Sequence, residues 1–534
     1  MKKLTLIITI LTAIGITSCK KGFLDESINP NAPSSNTLPL ALSSAEKGAA
    51  DIVNGWNSYT YSSAGYTWLY SPYAVWGGYW VESPNGYVSD EKLTQYNFTT
   101  NAAGFAWSDL YDNLSNVNLM QVSATQQNNP DYEAIALVLK AYGFEQLVDS
   151  YNNVPYTQAF QGEAGNLTPA YDTGASIYAD LIKQMDNAIS LINKNAAAAV
   201  PVVGPSSDDI IFGGNMTSWK KFANTMKLRL IMRQSNTSGF AALKTELNST
   251  AAEGYLDGTT QATANPGFSL SDAYGGQETP FYLMYGIRPN GATTLYGNTY
   301  FLANAFCVNL MQSLTDTDRV KLFYATTVDT ANYARNVIGA VLGSTSPPPA
   351  ISKIGPGLLG TTAALGSAKP AVMFSGAESL FLQAEAANDG MLSGSATALY
   401  QDGIIASFES LGLSDAQASI YYGRPSVALA TVGTVASPFK TIQEAIITEK
   451  YIALNGYGVF EAYNEYRRTG FPAIPRSLNP GALGSSTGGA SNTGQLPSII
   501  FYPQIEYSTN PVNVGKQPAA TIATEFNQKI FWAK

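Results

Sequence analysis

The sequence predicts a mainly α protein: pairs of helices form a helical body, capped by long irregular loops with few short strands. Three observations predict it. Apolar residues recur at the 3.6-residue spacing of buried helix faces across the first and last thirds of the 534-residue chain. Gly390 and Gly412 stand where two such periods end, the place of a left-handed helix stop. From about 250 to 370 periodicity gives way to Gly, Asn, Thr, Tyr and the triplet Pro347-Pro348-Pro349, a loop composition. No clean linker divides the chain, so residues 40–534 read as one domain with loop layers at about 54–100 and 250–370.

The N-terminus reads as an address. Lys2 and Lys3 precede the thirteen-residue apolar stretch Leu4–Ile16, long enough for a signal peptide and too short to span a bilayer. Ile16-Thr17-Ser18-Cys19 resembles a bacterial lipobox, which makes residues 1–18 a signal peptide and Cys19 the acylated residue. Residues 19–39, rich in Pro, Asn and Ser, form a tether or a strap. No later segment reaches 18 consecutive apolar residues, so the lipid anchor is the expected membrane attachment.

Helices follow in order at Leu38–Val53, Phe105–Val122, Asp131–Val148, Ala175–Ile192, Ser218–Arg233 and Phe240–Leu247. In Asp131–Val148 the positions Ile135, Val138, Leu139, Tyr142 and Leu147 share one face, and Pro130 suits its first turn. One further helix fits Ala303–Leu314. Ala377–Asp389 and Ala396–Leu411 make a helix pair of tetratricopeptide length, without that repeat's full residue pattern. Thr441–Leu454 and Tyr457–Arg468 make another pair, and Pro472–Lys534 reads as Gly/Ser/Pro-rich coil.

Composition excludes whole classes. The net charge is −9, so the basic footprint that a phosphate backbone requires is missing, and nucleic acid is not an expected partner. There is no histidine, which removes Ser-His-Asp and Cys-His catalysis and the commonest zinc sites. Charged residues are 13% of the chain, about half the ~25% usual for soluble domains, which points to an uncharged, hydrogen-bonding surface. Once Cys19 is lipidated, Cys307 is alone in the apolar run Phe301–Met311 and reads as a small buried hydrophobe.

Residues 56–87 hold eleven aromatics, all Tyr or Trp and none Phe. Such rings combine an apolar face with a polar edge, and a sugar offers the complementary C–H face and hydroxyl edge. Most of these rings are expected to pack loops onto helices and a few to stay exposed. Trp76, Tyr79 and Trp80 are the leading stacking candidates, with Tyr73 and Trp68 next. Gly77-Gly78 permits a sharp turn and shields no neighbouring ring. Asn85 and Gln277 are candidates for hydroxyl contacts. A second polar-aromatic stretch, Phe268–Tyr300, adds Tyr274, Tyr282, Arg288 and Tyr296.

Several blocks together resemble one family. They are the opening Cys19–Asn31, the turn Pro155-Tyr156-Thr157-Gln158-Ala159 after a helix, and the helix Ala377–Ala387. Glu449–Leu454 followed by Arg467-Arg468-Thr469-Gly470-Phe471-Pro472 is a fourth, and Pro503–Asn513 closes the set. In this order they are similar to the SusD/RagB family of nutrient-binding outer-membrane lipoproteins of the Bacteroidetes. Two departures stand out: no Pro separates Asp318 from Arg319, and few charges lie near Trp68–Tyr87. The resemblance implies tetratricopeptide-like helix pairs and loops that bind ligand, and a lipid-anchored outer-membrane position facing the cell exterior. It also implies a SusC-like TonB-dependent transporter as partner, oligosaccharides or in some branches peptides as cargo, and no enzymatic chemistry. Arg467 and Arg468 close a helix, where cations suit the dipole, and are not read as ligand contacts.

Three functions compete: an oligosaccharide-binding lid, a peptide-binding lid of the same architecture, and a surface glycosidase using paired carboxylates. The last would look to Asp90-Glu91, but adjacent residues need not share a cleft. No organic cofactor is expected. Acidic loops offer oxygen ligands suited to structural calcium, though no twelve-residue EF-hand pattern is present.

Overall fold

The computed structural model describes residues 37–55, 70–83, 91–96, 100, 104–271, 277–287, 299–328, 335–478, 496–517 and 528–534. Cys19 and the rest of residues 1–36 lie outside the described residues.

The N-terminal half is a run of packed helices: α1 (Leu38–Val53), the short α2 (Ser71–Trp76), α3 (Gly104–Gln126), α4 (Pro130–Tyr151), α5 (Gly174–Ala196) and α6 (Met216–Arg233). Helix α3 packs on α1 and α4, α4 on α5, and α5 on α6. Only three residues join α3 to α4, so they run antiparallel. Side chains fix the starts: the Thr173 hydroxyl accepts from Ser176 N, and Asn215 Oδ1 accepts from Thr217 N and Ser218 N. The face predicted for α4 is buried, and that helix is covered on nearly every side; α5 buries one stripe that includes Ile177, Leu181, Met185 and Ile189, and α6 is enclosed from Phe222 to Arg233. The expected helix Phe240–Leu247 is instead a 3₁₀ turn at Phe240–Ala242 followed by a helix at Leu243–Asn248.

The middle of the chain carries α7 (Pro280–Tyr285), α8 (Ala305–Ser313) and short strands. Strand β1 (Trp80–Glu82) pairs antiparallel with β2 (Phe301–Ala303), and Ala262–Ala264 pairs with Ala371–Phe374. Helices resume at α9 (Gly376–Asn388), α10 (Ala396–Ser410), α11 (Ile442–Ala453) and α12 (Val459–Thr469). Helix α9 packs on α10 and α11. Both predicted glycine stops are real. Gly390 and Gly412 have φ of +67° and +80°, and the next amides, Met391 and Leu413, reach back to Ala386 O and Phe408 O.

The reading of Pro472–Lys534 as coil is corrected. Short helices form at Gln504–Thr509 and Pro511–Val514, and Ile499–Tyr502 and Trp532 are buried in the core. Their few apolar side chains outweigh the Gly/Ser/Pro composition around them. Tyr502 donates to Tyr151 O and Asn153 O, and the Trp532 indole donates to Asp149 Oδ1 at 2.9 Å.

One hydrophobic cluster runs from Leu38 to Trp532, and a charged network runs through its centre. Arg229 bonds Glu145 through its Nε at 2.9 Å and Glu378 through a terminal nitrogen at 3.1 Å. Arg233 bonds Glu461, Lys450 bonds Glu465 at 2.7 Å, and Arg468 bonds both Glu465 and Glu385. The members come from α4, α6, α9, α11 and α12, so ion pairs join the two halves of the chain. A low-charge composition predicts few ion pairs at the surface; what it hides is that many of the charges are inside. Arg467 and Arg468 do end α12, as predicted, but both are buried: Arg467 donates to Asp149 O and Ser498 O. Apart from this network, buried Arg319 bonds Asp316 at 2.7 Å and Glu449 at 2.8 Å. Cys307 is a buried thiol, as expected, and burial pushes it up to about 12.

Candidate functional site

Helix α2 is six residues long. Pro72 suits its first turn, Gly78 at φ +76° ends the turn that follows it, and the chain enters β1. This segment carries the four described leading candidates, and all four are buried. Tyr73 packs on Phe460 and Tyr463 with ring centres 4.6 and 5.3 Å away. Trp76 donates its indole N–H to Leu93 O at 3.1 Å. Tyr79 lies flat on Tyr451 at 4.4 Å and donates to Tyr451 O. Trp80 sits 4.9 Å from Tyr285 and 5.5 Å from Phe301.

The expectation that Trp76, Tyr79, Trp80 and Tyr73 offer a stacking face is therefore corrected. A ring enclosed by other rings has no free face for a sugar. For three of the described rings the polar edge has a different use. Loop backbone buried here leaves carbonyls that need donors, and Tyr and Trp supply them: Tyr70 to Gly456 O, Tyr79 to Tyr451 O, Trp76 to Leu93 O. Gly78 likewise does not free a ring. A Cβ there would lie 2.8 Å from Phe306, so the glycine admits that side chain.

The two aromatic stretches do come together, as packing. Tyr70 and Trp80 meet Phe281 and Tyr285 of α7. Tyr282 is buried, and its hydroxyl donates to Ile287 O at 2.6 Å. Gln277 is exposed and accepts from the Ser269 hydroxyl. Trp68, Asn85, Tyr274, Arg288 and Tyr296 lie outside the described residues, as do Asp90 and the side chain of Glu91.

The cluster gathers several points of the chain. Ser83 N donates to Tyr300 O at 2.7 Å, the Ser71 and Tyr285 hydroxyls meet at 2.9 Å, and Ser271 N donates to Glu278 Oε1. Two buried carboxylates that sequence reasoning missed stand at its edge. Glu82 accepts from the Tyr300 hydroxyl at 2.8 Å and from the Thr94 hydroxyl at 2.6 Å. Glu278 is 8% exposed, and its Oε2 has no hydrogen-bond partner among the described residues. No local pattern marks either one, because a single Glu in a loop looks solvated until the fold closes over it. The arrangement is a packed aromatic cluster with carboxylate acceptors at its edge. Among the described residues no group of three His, Cys, Asp or Glu is placed to hold a metal ion, and no helix is long and apolar enough to cross a membrane.

A family model described as SusD-like, starch-binding and associating with the outer membrane, matches residues 57–503. The chain belongs to the SusD-like family. Solved structures of SusD-like proteins share its fold. A SusD homologue from Bacteroides uniformis is 24% identical with a TM-score of 0.68, covering 92% of this chain and 99% of its own. A SusD homologue from Bacteroides fragilis is 22% identical with a TM-score of 0.70, covering 93% and 99%. A chitin-binding SusD homologue from Flavobacterium johnsoniae is 21% identical with a TM-score of 0.67, covering 91% and 98%. Comparison with curated protein sequences finds no match. The SusD-like fold agrees with the mainly helical architecture of paired helices read from the sequence.

Proposed function

We propose that this protein is a cell-surface lipoprotein that binds an oligosaccharide and hands it to a SusC-like TonB-dependent transporter in the outer membrane, without enzymatic chemistry of its own. The SusD-like match across residues 57–503 carries this reading. The family description names starch, and one structural relative binds chitin, so a glycan is the favoured cargo over a peptide. The site is proposed at the aromatic cluster. Trp68, Asn85, Tyr274, Arg288 and Tyr296, which belong to the same two aromatic stretches of the sequence, are its proposed ligand contacts. They inherit the contact role that the buried rings cannot fill.

The test is to probe detergent-solubilised mature protein against immobilised starch, chitin and other oligosaccharides. Saturable retention of one glycan class, with that glycan recovered uncleaved, is expected. Retention of peptides alone, or release of shortened products, would overturn the reading.

The anchor has its own test. Cys19→Ala should leave a folded protein that moves from the membrane to the soluble fraction, because acyl chains are the proposed attachment. Persistent membrane retention of this variant in high salt would contradict lipidation at Cys19.

A further inference from the structure

Helix α8 has a buried face and an open one. Cys307, Val308 and Met311 point into the core. Phe306, Asn309, Leu310 and Ser313, at the i, i+3, i+4, i+7 spacing of one helical stripe, line an open groove of about 410 Å³. Val341 and Arg476 form part of the facing wall. Backbone bonds fix these walls: Ala305 N donates to Ala340 O at 2.8 Å and Leu478 N to Leu342 O at 2.9 Å. Phe306 is half-buried and backed by Gly78, while the Asn309 and Arg476 side chains are exposed and make no hydrogen bond or ion pair among the described residues.

We propose that this groove is a second saccharide subsite, in which Phe306 underlies a sugar ring while Asn309 and Arg476 donate to its oxygens. The inference rests on the glycan reading above. The volume falls within the ~300–1,000 Å³ of small-ligand sites. Apolar and polar side chains alternate along one helix stripe, Phe306, Asn309, Leu310 and Ser313, which matches a ring with one C–H face and a hydroxyl rim. A purely apolar partner would strand the amide and the guanidinium without acceptors. Asn304 links the groove to the aromatic cluster: its N donates to Tyr79 O, its Nδ2 to Trp80 O, and its Oδ1 accepts from Phe306 N.

The test is calorimetric titration of the full mature protein with short neutral and uronate-bearing oligosaccharides of the class it retains. Two saccharides per protein are expected, falling to one in the double variant Asn309→Ala/Arg476→Ala with an unchanged melting temperature. With longer chains spanning both sites, the same variant should bind about tenfold more weakly, the equivalent of 1.4 kcal/mol. Phe306→Ala should act alike; its ring also packs on Gly78, so the exposed double variant decides if Phe306→Ala melts early. A neutral-sugar response assigns Arg476 to hydroxyls, and a response confined to uronates assigns it to a carboxylate; either supports the subsite. One saccharide per protein with no effect of the double variant overturns the subsite and leaves the glycan reading standing. No binding of any oligosaccharide by the unaltered protein overturns both.

Discussion

Trp80→Ala should destabilise the protein by about 3–5 kcal/mol, the range for deleting a large aromatic from a packed core. The ring is fully buried among Tyr70, Phe281, Tyr285 and Phe301, so its loss opens a cavity that four neighbouring rings cannot easily fill. Chemical denaturation followed by far-UV circular dichroism measures it. A variant that unfolds at the same denaturant concentration as the unaltered protein would show that the ring is accessible after all and restore it as a stacking candidate.

That outcome turns on the part of the sequence that was hardest to read. Helical periodicity is a local signal, and Leu38–Val53 was legible to the residue while Asp131–Val148 was short by only a few. The aromatic run was not legible in the same way. A tyrosine facing water and a tyrosine donating to a buried loop carbonyl have the same local sequence, and only distant partners distinguish them. Tyr70 finds its acceptor at Gly456, and Tyr79 at Tyr451. Glu82 and Glu278 were missed for the same reason, as was the burial of Trp532 beyond a Gly/Ser-rich stretch.

Arg468→Ala should cost a similar ~3–5 kcal/mol, because it leaves Glu385 a buried charge without its guanidinium and leaves Glu465 to Lys450 and Arg233. Equilibrium unfolding at pH 7 checks this, and a loss under about 1 kcal/mol would mean that water reaches the network. Acid acts on the same groups. Burial alone would push Glu461 up, but Arg229, Arg233 and Lys450 hold it down to about 2, against an ordinary value of 4.5. A carboxylate lowered in the fold stabilises it above the unfolded value, and that contribution fades as pH falls through 4.5 toward 2. Glu378 and Glu449 are shifted the other way: burial raises both, despite their arginine partners, so protonating them favours the fold. The melting temperature should therefore hold or rise from pH 7 to about 5 and drop below about 4. A steady decline from neutrality would contradict these directions.

The reach of the central ion network along the chain also bears on how the protein is made. Glu461 lies 315 residues from its partner Gln146, and Asn464 is equally far from Asp149. The pocket between α4 and α12 is finished only by Trp532. A nascent chain cannot complete its core while its final segment is still being synthesised. Contacts this distant in sequence are slow to form, because each must first close a long loop. For a chain exported as proposed here, a core that closes late would leave the polypeptide easier to thread across a membrane.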